Sequence, residues 1–161
     1  MADPANSSGG PVRPLVALGL ATVAFIALLI FGLGMVSLVL NADIVEAPGL
    51  GQLPGVFATT LTTAVFALVL WLVLRTRHPR YRGAVVTALA CYLAYVIGIW
   101  LGILVASGEF ATAAQVAGRI ATTWFGLSVV GAAALAAAGG IALVRTRSDR
   151  PRWPWEDEFD E

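Results

Sequence analysis

Charge is scarce in this chain, and lysine is missing altogether. Only 12% of its 161 residues are charged, against roughly 25% in an ordinary soluble domain. All ten basic residues are Arg. Residues 15–40, 54–74, 84–106 and 120–144 hold no Asp, Glu, Lys, Arg or His. A helix in water needs a polar outer face, and these segments have none to offer. Cysteine is nearly absent too: Cys91 stands alone, which excludes an intramolecular disulfide and a C-x-x-C redox pair. No H-E-x-x-H, G-x-S-x-G or P-loop motif occurs. Proton-coupled transporters and ion pathways keep an ionisable residue within the membrane, as small four-helix drug exporters do with a Glu, and the apolar segments contain none. The expectation is a protein that is not an enzyme, with no catalytic residue, no metal site and no cofactor.

What the chain does have is apolar length, with 58% hydrophobic residues. Crossing a hydrocarbon core of about 30 Å takes about 20 helical residues at about 1.5 Å each, and all four segments meet that requirement. The first is longer than needed and should tilt. Barrel strands would alternate in polarity, whereas runs such as Ala24-Phe25-Ile26-Ala27-Leu28-Leu29-Ile30 are apolar on every face. The first segment exceeds the roughly 7–15 residues of a signal-peptide core, and its best small-residue site, Val45-Glu46-Ala47, runs into Pro48. It is read as a retained span. The fold class is therefore all-α: a polytopic membrane protein whose four transmembrane helices form two hairpins in a compact bundle over residues 15–144. Residues 1–14 are expected to be a disordered cytoplasmic tail, and residues 145–161 a second cytoplasmic tail.

Arginine placement sets the expected orientation, because basic residues favour the cytoplasm. Arg13, then Arg75, Arg77, Arg80 and Arg82 between the second and third segments, then Arg145, Arg147, Arg150 and Arg152, lie on one side. The other connections carry Arg119 with Asp43, Glu46 and Glu109. Both termini are expected in the cytoplasm of a bacterial inner membrane. Arg75, Arg77, Arg80 and Arg82 would then anchor the short loop against anionic headgroups. So few basic residues make no case for nucleic acid, and His78 beside Pro79 reads as a solvated loop residue. The Arg75-Thr76-Arg77 and Arg145-Thr146-Arg147 echo reads as two convergent stop signals, since the spans around them do not align.

Helices in lipid associate through small residues that let backbones approach. The third segment has Ala90, Ala94, Gly98, Gly102 and Ala106 at four-residue spacing, and the fourth has Ser128, Ala132, Ala136 and Gly140. Ala94, Gly98, Gly102, Ala106, Ala132, Ala136 and Gly140 are the candidate packing residues, and the two stripes are expected to meet each other or a second copy. Thr59, Thr63, Cys91 and Tyr95 form a candidate intramembrane polar cluster. Thr63 and Tyr95 fall at similar depth by residue count, and the Tyr95 hydroxyl is expected to bond a Thr of the second segment or a backbone carbonyl. The bland alternative for each Thr is a bond to its own helix.

Arg119 lies about 37 Å before Val144 along a helix and so belongs at the outer interface. Trp71, Trp100 and Trp124 suit an aromatic belt. The tail reads Arg150-Pro151-Arg152-Trp153-Pro154-Trp155, followed by five acids in the last six residues. Trp153 and Trp155 either rest among headgroups or form a partner motif of extended, Pro-rich type.

The Arg-only loops, the Ala/Val/Leu spans and the Arg152-Trp153-Pro154-Trp155-Glu156-Asp157 motif resemble small, uncharacterised four-helix membrane proteins of actinobacteria. That resemblance implies a four-span fold over the whole chain and no activity. The functional expectation is a non-enzymatic membrane protein acting by helix–helix and tail-mediated association. Its expected partners are membrane lipids, a second copy of itself or an envelope protein. The alternative is a small oligomeric transporter or channel with a Thr/Tyr-lined path; a lipid-acting enzyme with loop arginines as phosphate binders has no motif behind it.

Overall fold

Backbone groups in an apolar run have no water to bond, so the chain closes its hydrogen bonds within helices. The structure, a computed structural model, describes residues 14–41, 51–76 and 81–145. Five helices follow one another: α1 (Pro14–Leu40), α2 (Leu53–Leu74), α3 (Arg82–Ser107), α4 (Phe110–Thr122) and α5 (Trp124–Arg145), with no strand among the described residues. α1 opens on Pro14 and α2 carries Pro54 in its first turn, where a missing N–H costs nothing. α3 ends on Gly108, which sits at φ 71 and returns its N–H to the Leu104 carbonyl.

α1, α2, α3 and α5 are each long and apolar enough to cross a membrane. They form a closed ring in which α2 packs most extensively on α3 and α1 on α5, while α3–α5 and α1–α2 complete the circuit. The centre is filled by Phe25, Leu29, Phe66, Leu70, Tyr95, Ile99, Val129 and Ile141, all buried. Phe25 and Phe66 stack with ring centroids 4.3 Å apart and planes within 6°. The outside is apolar as well: Leu20, Val23, Ile30, Phe31, Leu68, Leu93 and Leu135 are exposed. An apolar exterior around an apolar core is the arrangement that lipid solvation allows and water does not.

The first three expected spans coincide with α1, α2 and α3 to within one or two residues. The fourth requires a correction. Residues 120–144 are not one helix: the chain breaks at Thr123, which is extended at φ −106 and ψ 172. Residues 110–122, read from the sequence as the end of an outer connection and the start of the last span, form the separate helix α4. With 13 residues it is too short to cross a bilayer. It buries Ala113, Ala117 and Ile120 on one face and exposes Phe110, Ala114, Gln115 and Arg119 on the other. Its ends suit the helix dipole, with Glu109 at the N-cap and Arg119 in the last turn. The expected tails and loops, with Arg13, Asp43, Glu46, Arg77, His78, Arg80, Trp153 and Trp155, lie outside the described residues.

Candidate functional site

Glycine in the third span works as a contact surface, but its partner differs from the one expected. A Cβ added at Gly98 would lie 2.7 Å from the Ala58 Cα, and one at Gly102 would lie 2.8 Å from the Pro54 Cα. Both residues of the G-x-x-x-G thus face α2. At the other end of the same pair, Gly83 lies directly against the Val73 side chain. On α5, a Cβ at Gly140 would come within 2.9 Å of the Ala21 Cβ, and Ser128 lies against Gly32, so that stripe faces α1. The two stripes therefore do not interlock. Each is used on the neighbour that completes the tightest antiparallel pair, and α3 and α5 meet through other faces. Ala94, Ala132 and Ala136 are buried, whereas Ala106 is exposed.

The polar residues of the spans are largely spent at home. Thr59 and Thr63 donate to the carbonyls of Gly55 and Thr59, each at 2.8 Å, and the fully buried Thr62 and Thr87 donate to Ala58 and Gly83 at 2.7 and 2.8 Å. Cys91 is fully buried, and Tyr95 is only 1% exposed among the core side chains. Thr59, Thr63, Cys91 and Tyr95 are not drawn into one hydrogen-bonded group, because each Thr hydroxyl reaches the carbonyl one turn back more readily than a neighbouring helix.

Tyr92, a polar residue of the third segment that stands outside the candidate cluster, bridges two elements. Its hydroxyl donates to the Ala121 carbonyl at 2.9 Å. That carbonyl belongs to the last turn of α4, where the break leaves carbonyls without an intrahelical partner. The Tyr92 ring lies against Gly126 in the first turn of α5, where an added Cβ would be 3.0 Å from the tyrosine Cε2. At its other end α4 is fixed by Trp100, which meets Phe110 edge-on at 5.6 Å and 87°. The Thr112 hydroxyl donates to the Glu109 carboxylate at 2.8 Å. A signal for α4 was present in the sequence: Ala113, Val116, Ala117 and Ile120 follow the i, i+3, i+4, i+7 spacing of a helix with one apolar face.

The family model of DUF6121, a family of unknown function, matches residues 13–161. The chain belongs to this family. The match takes in all five helices and the Arg152–Asp157 motif, in agreement with the resemblance to proteins without an assigned activity. No curated protein and no solved structure matches the chain.

Other features of this DUF6121 protein define its surface. Arg75 sits over the Trp71 ring at 5.8 Å, an arrangement that suits the edge of a bilayer. Met35, Val36, Val39, Leu40 and Trp124 line an open apolar groove of about 240 Å³ between the end of α1 and the start of α5. Among the described residues no group of His, Cys, Asp or Glu could hold a metal ion.

Proposed function

We propose that this is a multi-pass inner-membrane protein, with both termini in the cytoplasm, that acts by association and not by catalysis. The observation that carries the reading is the local use of the intramembrane hydroxyls. Thr59, Thr62, Thr63 and Thr87 bond to their own helices, and aromatic and aliphatic side chains fill the space between them. A bundle so packed favours a scaffold over a single-chain pore, which would need polar groups turned toward a path. In this reading Arg75, Arg77, Arg80 and Arg82 contact anionic headgroups. The Trp153–Trp155 segment supplies a contact for an envelope protein or for a second copy.

Purification from mild detergent, comparing the intact chain with one ending at Pro151, tests the reading. A partner or a dimer retained by the intact chain and lost on truncation is the expected result. Identical partners and identical mass for the two forms would remove the tail from the account. Solute flux through vesicles carrying the purified protein would overturn the scaffold reading in favour of transport.

A further inference from the structure

The break at Thr123 falls inside a stretch with no charge and no proline, residues 120–144, so local sequence does not forbid a continuous helix there. In a continuous helix the Ala121 carbonyl would accept the N–H of Phe125, four residues on. In the structure it accepts the Tyr92 hydroxyl instead, at 2.9 Å, and Thr123 is extended. The Tyr92 ring packs against Gly126 at the start of α5, where an added Cβ would stand 3.0 Å from its Cε2, tighter than ordinary contact. Tyr92 of α3 therefore adds a hydrogen bond and packing to the bent form, beside the local bond of the Thr123 hydroxyl to the Ile120 carbonyl at 3.3 Å. The Tyr92 hydroxyl thus stands in for the helix donor that the break takes from the Ala121 carbonyl.

We propose that the α4–α5 joint is a two-state element: bent while the Tyr92 hydroxyl and ring hold the end of α4 against the start of α5, continuous when that hold is released and the Phe125 N–H closes the helix bond to the Ala121 carbonyl. α4 is suited to such a change. Its buried side chains are Ala113, Ala117 and Ile120, a thin apolar face beside those of the four long helices, and lightly packed elements are the ones that open locally. Gly108 at φ 71 already separates α4 from α3. If α5 grows backward as far as Gln115, residues 108–114 become the connection, and an extended chain covers up to about 3.5 Å per residue. The change lifts α4 away from Tyr92 and Trp100 and opens that face of α3.

Spin labels at Gln115→Cys and Leu135→Cys, both exposed positions, read the joint in lipid nanodiscs by pulsed distance measurement. A continuous helix places these positions about 30 Å apart, and any bend shortens the distance. The chain with Tyr92 intact is expected to give mainly the shorter distance. Tyr92→Phe is expected to raise the 30 Å fraction about threefold, the shift that loss of an average intramembrane hydrogen bond produces. Labels at Leu68→Cys and Leu135→Cys report whether the bundle itself holds. If that control distance stays narrow and Tyr92→Phe leaves the joint unchanged, the proposal is overturned. If Tyr92→Phe spreads the control distance, Thr123→Ala decides, because it favours the continuous helix without touching Tyr92: a larger 30 Å fraction supports the proposal, and an unchanged one overturns it.

Discussion

Gly98 lies so close to Ala58 that a Cβ on the glycine would stand 2.7 Å from the alanine Cα. No side-chain rotation relieves such a contact, because the obstacle is backbone. Gly98→Leu is therefore expected to push α3 off α2 and to destabilise the bundle by about 1–3 kcal/mol or more. Gly34→Leu is the matched control: nothing lies within 4 Å of a Cβ added there, and the outward side chain enters an apolar surround. Thermal unfolding in detergent should show a lowered midpoint for Gly98→Leu and little change for Gly34→Leu. Equal effects would mean that the close approach is not what holds α2 and α3 together.

Phe25 and Phe66 are each fully buried and stacked, joining α1 to α2 across the middle of the bundle. Phe66→Ala removes one ring and leaves the other facing a void, at a cost of about 3–5 kcal/mol by the measure of large-to-small core changes. Phe31→Ala, at an exposed position on α1, is expected to cost far less, since lipid can fill the space. Chemical or thermal unfolding of the two variants side by side distinguishes them.

The spans were legible because a bilayer needs about 20 apolar residues and because charge is excluded from them, signals that involve no partner. The pairing of the stripes was not legible. Spacing shows that Gly98 and Gly102 share a helix face, but which helix meets that face depends on the ring order α1–α2–α3–α5. The break at Thr123 was hidden for a similar reason. Thr122 and Thr123 are not strong breakers by type, although their hydroxyls bond the last carbonyls of α4, and the tertiary bond at the bend comes from Tyr92, far away in sequence. Tyr95 drew attention by its depth, yet it is packed into the core, and the bridging hydroxyl belongs to its neighbour one turn earlier.

Local bonding of the Thr hydroxyls makes a further expectation. Thr62 is fully buried, and its hydroxyl donates to the Ala58 carbonyl at 2.7 Å within α2. That carbonyl also serves the helix ladder, so Thr62→Val leaves no helix group unpaired and replaces a hydroxyl with a methyl of similar size. The change in stability should stay within about 1 kcal/mol. Denaturation in detergent checks this. A loss of several kcal/mol would indicate that Thr62 also serves a neighbouring helix, and would revive the polar-path reading.

Orientation rests on arginine, and it can be inverted by design. Nine of the ten Arg residues fall in the N-terminal tail, the α2–α3 connection and the C-terminal tail, or on the helix-end residues Arg82 and Arg145 that border them, and basic residues near span ends are held back from translocation. A fluorescent reporter after Arg152 should therefore be bright, and a phosphatase that works only in the periplasm should be inactive at the same position. Replacing Arg75, Arg77, Arg80 and Arg82 by Gln weakens the central anchor while leaving the apolar spans intact. Phosphatase activity at the C-terminus should then rise as part of the population inserts the other way. If the quadruple variant keeps a single orientation, the tails alone set topology. Strong phosphatase activity from the unaltered chain would reverse the proposed orientation and put α4 and the α1–α2 connection on the cytoplasmic side.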